Sequence, residues 1–360
     1  MIITTTIGAF PKPGYVPISD WFSAAPDDGA YDYTSAFTKE MAQAGAEREE
    51  LFQRAAAEVI DDQVSAGVDI VTDGEIRREN YVHYQCRHLT GFDFDDLSER
   101  TIRGVTSAQL PTVRGDVRLL GTSPLVHDYR VAQALSPKPV KMTIPGPMTI
   151  IDTTVDAHYG DETALGADLA AAINDQVLAL ADAGCRHIQI DEPVMARKPD
   201  AALDHGIEHL GRCFAGVGER VTRVVHCCCG YPEFLDQDDY PKADPGSYLA
   251  LAEALDAAAI DAVSIEDAHR PGDLGELLPR LGRTTVLLGV LAVARSRLET
   301  VAGVEARLIE ALEHIPPERL MAAPDCGLGY LGRDLARRKL AVMCEATRRV
   351  NARIGERPSG

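Results

Sequence analysis

Three short strings place metal-binding side chains where strand-like runs of the sequence end. They are His226 and Cys228 in RVVHCCCGYP, Glu266 in VSIEDAHR, and Cys326 in MAAPDCGLGY. An imidazole, two thiols and a carboxylate are ligand types that suit zinc. The set is spread over one hundred residues, so folding must bring it together, unlike the compact loop of a zinc finger. The pattern predicts a catalytic zinc site rather than a structural one.

The ligand types also indicate a class of reaction. Two thiolates already neutralise Zn²⁺, so the ion is a weak activator of water but can keep an incoming thiol deprotonated near neutral pH. Glu266 is the hardest ligand, and we expect it to yield when a sulfur enters. Cys227 and Cys229 alternate with Cys228 along an extended chain, so they are predicted to pack on the other side.

A second set of polar side chains could hold the rest of a substrate. Asp73 and Glu75 follow one strand-like run in VTDGEIRREN, and Asp191 and Glu192 follow another in IQIDEP. Carboxylates that meet at one mouth would bind an ammonium group. The alternative is that they form loop salt bridges with nearby arginines, namely Arg77, Arg78 and Arg197.

A glycine loop near the first strand-like run could bind a carboxylate. The segment Ile7, Gly8 and Ala9 lets backbone approach a ligand closely, because Gly8 has no side chain. Sites for an ammonium and a carboxylate beside a thiol-binding zinc describe an amino acid that carries a thiol.

Eight strand-like runs alternate with helical patterns, and this count predicts a single (β/α)8 TIM barrel over residues 1–360. The predicted strands are 2–7, 69–72, 139–144, 187–191, 222–226, 259–265, 285–290 and 320–323. The predicted helices are 47–66, 165–183, 201–214, 248–258, 304–314 and 335–350. An open doubly wound sheet is the alternative. Residues of about 76–137 are predicted to be an insertion after strand two, with a hairpin at 101–120, and residues 23–32 a surface loop.

Composition narrows the class of partner. The 360 residues carry a formal charge of −19, which disfavours nucleic acid and anionic membrane surfaces as partners. No basic leader with an apolar core opens the chain, and no apolar run approaches the roughly 20 residues of a membrane span. Eight cysteines, three of them consecutive, do not resemble a disulfide framework. We expect a cytoplasmic enzyme with a small-molecule substrate.

Seven strings in order resemble the C-terminal catalytic barrel of cobalamin-independent methionine synthase. They are TTTIGAFPKP, GE followed by RREN, PGPMTI, IQIDEP, HCC, SIED and PDCGLG. The resemblance implies transfer of a methyl group to the thiol of homocysteine, with Glu266 and Asp191 as candidate catalytic residues. By this resemblance the zinc ligands are His226, Cys228, Glu266 and Cys326. The carboxylates that bind the ammonium group are Glu75 and Asp191, and the loop that binds the carboxylate is Ile7, Gly8 and Ala9.

Several positions depart from the family. The long enzymes carry a second, N-terminal barrel that this sequence does not match, so the chain is similar to the short core forms. Ala9 replaces the family's loop serine, and Ala292 and Ala294 stand where a histidine and polar residues are expected for proton delivery to folate. PGPMTIIDTT lacks the tryptophan that stacks on the pterin, and the single tryptophan is Trp21. The sequence therefore predicts a methyl donor other than the usual methyltetrahydrofolate, such as a methylated corrinoid or a sulfonium, and leaves open a protein that delivers it.

Other interpretations follow from the same strings. One alternative is an alkyl transferase or lyase for a different thiol, or a decarboxylase-like barrel enzyme; another is a non-enzymatic zinc protein. Gly327 to Gly332 match GxGxxG, but a dinucleotide site needs a further βαβ unit that is missing here. His83 and His269 could each donate a proton, although a packing role is the commoner fate of a histidine.

Overall fold

Eleven strands form two sheets in the computed structural model, which describes residues 1–22, 33–102, 106–230, 232, 234–238 and 240–356. The strands are β1 (Ile3–Thr4), β2 (Val71–Thr72), β3 (Phe92–Ile102), β4 (Thr106–Val113), β5 (Val140–Pro145), β6 (Val155–Asp156), β7 (His187–Asp191), β8 (Thr222–Cys227), β9 (Ala262–Ile265), β10 (Thr285–Leu291) and β11 (Leu320–Pro324). Eight of them make one parallel sheet, in the order β1-β11-β10-β9-β8-β7-β5-β2.

The two edges of this sheet meet. Thr5, directly after β1, forms a parallel bridge with Ile70, directly before β2. The N–H groups of Asp69 and Ile70 both donate to the carbonyl of Thr4, at 3.2 and 3.1 Å. The sheet is therefore a closed eight-stranded barrel, as the alternation of strands and helices predicted, and the open doubly wound alternative is wrong. An apolar layer fills its interior and includes Ile7, Val224 and Leu287.

Helices surround the barrel. They are α1 (Tyr33–Ala44), α2 (Arg48–Ala66), α3 (Tyr81–Cys86), α4 (Pro124–Leu135), α5 (Pro147–Asp152), α6 (Glu162–Asp182), α7 (Pro193–Arg197), α8 (Pro199–Ala201), α9 (Ile207–Cys213), α10 (Ser247–Ala257), α11 (Leu274–Leu277), α12 (Val301–Ala311) and α13 (Arg333–Glu356). Among the described helices, α6 alone is long and apolar enough to cross a membrane. Half of its apolar stretch is buried, and it packs against α4, α5 and α9, which accounts for its composition.

The segment after β2 contains the predicted hairpin. Its arms are β3 and β4, so it begins at Phe92 and not at Thr101; the turn at 103–105 lies outside the described residues, as does the predicted loop at 23–32. β6 extends this small sheet by pairing with β4. The last part of the segment is α4, which packs against α2, α6 and β5 and thus belongs to the outer ring. The hairpin itself is the part that departs from the barrel plan.

Several predicted bounds differ from those of the structure, and two of them have a local reason. The helix predicted at 201–214 is divided by a π-helical turn at Ala202–Gly206, where a Cβ on Gly206 would lie 2.2 Å from the sulfur of Met148. The strand predicted from residue 259 begins at Ala262. The chain first turns at Ile260, whose N–H donates to the carbonyl of Ala258.

Candidate active site

Three of the four predicted metal ligands meet at the carboxyl ends of their strands. The ligand atoms of His226, Cys228 and Cys326 all lie within 4.8 Å of one another. Nε2 of His226 is 2.8 Å from Sγ of Cys326, which is 3.8 Å from Sγ of Cys228. One imidazole nitrogen and two sulfurs in a partly buried cluster fit zinc or another soft-to-borderline divalent ion. This group can hold a metal with at least one coordination position left over.

Neighbouring strands fix the orientation of the histidine. His226 lies on β8 opposite Ser264 of β9, and its Nδ1 is 2.9 Å from the Ser264 hydroxyl oxygen. This contact leaves Nε2 directed at the cysteines, which is how outer hydrogen bonds usually orient a metal-binding imidazole. Asp325 precedes Cys326 and accepts backbone N–H donors from the loop after β9, for example from His269 at 2.7 Å. The β9 and β11 ends of the site are thereby joined.

The other two cysteines of the HCCC run pack elsewhere. Cys227 and Cys229 belong to the main hydrophobic core, whereas Cys228 faces the site. The alternation expected for an extended chain explains this arrangement. Burial raises the pKa of the Cys227 thiol well above its usual range, so this thiol stays protonated.

Glu266, the fourth predicted ligand, is not part of the close group. Its Oε1 contacts Nζ of Lys242, and its Oε2 accepts the N–H of Cys229 at 3.1 Å. It is nonetheless buried beside the site, since β8 and β9 are paired as far as Cys227 and Ile265. Lys242 was not predicted, because it stands in a loop with no motif around it.

Glu75 lines the same pocket and is held from two sides. Its Oε1 accepts from the hydroxyl of Thr143 at 2.8 Å, and Nη1 of Arg78 lies 3.6 Å away. Arg78 also lies 3.6 Å from Asp73, so the salt-bridge alternative holds in part. The residue adopts a left-handed conformation, with φ +56°, which is costly for a non-glycine residue and aims the side chain inward. Burial raises the pKa of the Glu75 carboxyl.

Asp191 is the second carboxyl of the pocket. Its Oδ1 accepts from Nε2 of Gln189 at 2.6 Å, and Gln189 also donates to the carbonyl of Ile7 at 3.0 Å. Burial raises the pKa of Asp191 to about 7. The nearby charge of Glu75 contributes to this rise in the pKa, so a cation between the two carboxyls would favour their ionised forms. Glu192, in contrast, is directed away and accepts the N–H of Thr149 at 3.0 Å.

The loop after β1 forms the floor beside Glu75. Ile7, Gly8 and Ala9 all line the pocket, and a Cβ on Gly8 would lie 2.5 Å from Oε1 of Glu75. Among the described residues, the N–H groups of Gly8 and Ala9 have no acceptor. They are therefore available to a carboxylate. Gly327 in turn approaches Ala9, since a Cβ there would be 3.1 Å from that of Ala9.

The pocket is also lined by aromatic side chains that were not predicted from the sequence. They are Trp21, Phe22 and Tyr81, joined by Arg197. The only signal in the sequence was the single tryptophan. The two histidines considered as proton donors are elsewhere: His83 is 2.9 Å from the Thr34 hydroxyl, and His269 accepts the N–H of Ala294.

The chain matches the family model described as the catalytic domain of cobalamin-independent synthase, over residues 2–349. It is similar to a methionine synthase of Saccharolobus solfataricus, with 29% identity over 98% of this chain and 96% of the relative. A methionine synthase of Sulfolobus acidocaldarius is 28% identical over 96% of this chain and 91% of its own length.

Solved structures agree in fold. A B12-independent methionine synthase from Shewanella sp. W3-18-1, solved in complex with selenomethionine, matches with a TM-score of 0.83 and 29% identity, over 98% of both chains. A protein from Listeria monocytogenes shares the fold at 19% identity, with a TM-score of 0.67 over 97% of this chain and 98% of its own. The family resemblance seen in the sequence is confirmed, and the decarboxylase-like alternative is not favoured.

Proposed function

This chain belongs to the family of cobalamin-independent synthases, matching their catalytic domain, and we propose that it is a zinc-dependent methyltransferase that converts homocysteine to methionine. The observation that carries the proposal is the placement of the His-Cys-Cys group beside two buried carboxyls and a glycine loop in one pocket. A thiol, an ammonium and a carboxylate are the three polar groups of homocysteine, and each has a chemically matched partner there.

We assign the metal position to His226, Cys228 and Cys326, with Glu266 as the replaceable fourth ligand. When bound, zinc supplies a Lewis acid that accepts the homocysteine sulfur and keeps it deprotonated near neutral pH. The chain contributes the orientation of this centre, since the Ser264 contact fixes which imidazole nitrogen faces the cysteines.

Glu75 and Asp191 bind the ammonium group in this scheme. Both are buried, and a cationic amine offsets the desolvation that raises their pKa values. The N–H groups of Gly8 and Ala9 bind the carboxylate. Both groups sit on the α-carbon, so these contacts hold one end of the amino acid and leave its thiol free to reach the cysteines that line the same pocket. Such positioning makes the attack of the thiol effectively unimolecular. The selenomethionine in the Shewanella relative supports the idea that this family's pocket accepts the methionine skeleton.

The test is thiol binding measured by proton release. Homocysteine added near neutral pH to zinc-loaded protein is expected to release about one proton per site, because the thiol binds as thiolate. Metal-free protein and the Cys326→Ala variant should release about one proton fewer per site, because only the ionisation of Glu75 and Asp191 by the bound ammonium remains. Asp191→Asn should keep zinc but bind homocysteine at least about tenfold more weakly. Equal proton release with and without zinc would refute the proposal.

The site also bears on partners and location. Homocysteine and a methyl donor are the substrates of a methionine synthase, and a protein that delivers the methyl group is compatible with a pocket open to solvent. We place the enzyme in the cytoplasm, in keeping with its eight cysteines in free form.

A further inference from the structure

The aromatic wall at the pocket mouth, made of Trp21, Phe22 and Tyr81, has no task in holding the amino acid. The rings of Trp21 and Phe22 have centroids 4.6 Å apart, tilted by 47°, and Trp21 and Tyr81 are 5.9 Å apart. All three line the same pocket as the two cysteines. The wall therefore belongs to the pocket in which a second substrate would meet the thiol.

The loop around the GxGxxG string holds this wall in place. Gly329 lies against Phe22, because a Cβ there would fall 2.4 Å from the phenyl ring. Tyr330 contacts Phe22 edge-on at 4.9 Å, and its own hydroxyl donates to the carbonyl of Pro232 at 2.8 Å. The backbone at Trp21 is anchored by its main-chain N–H, which donates to the carbonyl of Glu79 at 3.0 Å. Gly329 and Tyr330 of the GxGxxG string thus pack against the aromatic wall and hold Phe22 in place, which gives this string a structural role.

The charge of the pocket favours a cation. Glu75 and Asp191 together bind one ammonium in the proposed function, so the ionised pair still leaves one negative charge in the pocket. Of the described residues that line the pocket, Arg197 and His226 are the only basic ones; His226 belongs to the metal group, and Arg197 donates to Asp152 at 3.0 Å. Aromatic faces bind cations through the ring quadrupole, most strongly where water is excluded. A polyanionic donor would find one guanidinium, that of Arg197, whose charge is paired with Asp152 although its buried Nε has no hydrogen-bond partner among the described residues.

We propose that the aromatic wall binds the methyl donor and that this donor is a small onium compound, a sulfonium or quaternary ammonium. The inference rests on the proposed function and names its second substrate. The thiolate of homocysteine forms the new S–CH₃ bond with its own electron pair. The bond from the methyl group to the onium atom breaks, and its electron pair stays on that atom.

The products of this step are a thioether and a neutral sulfide or amine. Positive and negative charge cancel, and no proton is needed. This balance matches the pocket, where the only described histidine is the proposed ligand His226. A folate donor would leave as an amine anion that requires an acid.

Binding can be measured directly, because Trp21 is the single tryptophan of the chain and its fluorescence reports on the wall. Choline and its neutral isostere 3,3-dimethyl-1-butanol are the matched probes. We expect choline to quench Trp21 saturably, with a dissociation constant at least about tenfold below that of the isostere. Phe22→Leu should weaken choline about tenfold. Phe234→Leu is the matched control, since Phe234 is 47% exposed and does not line the pocket.

Methyl transfer is then followed with labelled donors on zinc-loaded protein. S-Methylmethionine, dimethylsulfoniopropionate and glycine betaine represent the onium class; 5-methyltetrahydrofolate and methylcobalamin represent the others. Label appearing in methionine from an onium donor supports the proposal. Transfer only from the folate or the corrinoid overturns it while the proposed function stands, as does equal binding of choline and its isostere. If homocysteine releases no more protons with zinc than without it, both inferences fall.

Discussion

Nζ of Lys242 contacts Oε1 of Glu266, so the one predicted ligand outside the close His-Cys-Cys group is held by a lysine. The lysine and glutamate side chains are 15% and 4% exposed, which makes this a largely desolvated pair. The N–H of Cys229 holds the other carboxylate oxygen. Lys242 therefore gives Glu266 an alternative partner to a metal, and this suits a ligand that must yield to an incoming sulfur.

Replacing Lys242 by Met tests that relationship. Without the lysine, Glu266 is left buried and unpaired, so metal-free protein should lose about 3 kcal/mol of unfolding free energy. Zinc-loaded protein should lose much less, because the metal can take up the carboxylate, and homocysteine should bind more weakly. Denaturant unfolding with and without zinc measures the difference. Lys138→Met is the control, since that lysine is 41% exposed in a pair with Asp69; an equal loss in both metal states would contradict the prediction.

Adjacent cysteines give a matched pair for the metal site. Cys228→Ala removes a proposed ligand and should reduce bound zinc by more than about tenfold, with loss of methionine formation. Cys227→Ala should keep zinc while lowering stability by about 1 kcal/mol, because Cys227 lies in the hydrophobic core. Zinc content after dialysis and thermal unfolding distinguish the two. Zinc retained by the Cys228 variant would disprove the assignment.

The glycine loop predicts a selective loss of amino-acid binding. A Cβ on Gly8 would lie 2.5 Å from Oε1 of Glu75, so Gly8→Ala must displace the carboxylate or the loop. We expect homocysteine affinity to fall by about tenfold or more, with zinc content unchanged. Gly14→Ala serves as the control, because nothing lies within 4 Å of its Cβ position. Calorimetric titration with homocysteine measures the affinity of both variants. Equal affinities would contradict the role of the glycine loop in binding the amino acid.

Lys141 provides a test by pH. This lysine is buried, its Nζ has no hydrogen-bond partner among the described residues, and burial lowers its pKa from 10.5 to about 7. Below pH 7 the buried amine is charged in the folded protein, and this lowers the free energy of unfolding. Between about pH 7 and 10 the amine is neutral in the folded protein and still charged in the unfolded chain. The destabilisation of the folded protein by Lys141 therefore fades as the pH rises through this range. Lys141→Met should therefore add roughly 3 to 5 kcal/mol of unfolding free energy below pH 7 and little near pH 10. A difference between the proteins that does not change with pH would contradict this.

The barrel could be predicted from sequence because each buried parallel strand is a local apolar run and each crossover helix has its own periodicity. The alternation of side chains along a strand was enough to predict that Cys228 faces the site while Cys227 and Cys229 pack on the other side. Trp21, Phe22 and Lys242 could not be predicted, because their positions depend on contacts such as that of Phe22 with Gly329. The contact of Glu266 with Lys242 could not be predicted either, because it depends on the path of the loop that carries Lys242, and no local sequence pattern specifies that path.

The most direct measurement is X-ray absorption at the zinc edge, on zinc-loaded protein with and without homocysteine. The free enzyme should show two sulfur and two nitrogen or oxygen ligands, in line with His226, Cys228 and Cys326 plus Glu266. Homocysteine should replace one light atom by a third sulfur. A spectrum that homocysteine leaves unchanged would contradict thiol activation at this site and make the metal, if present, a structural one.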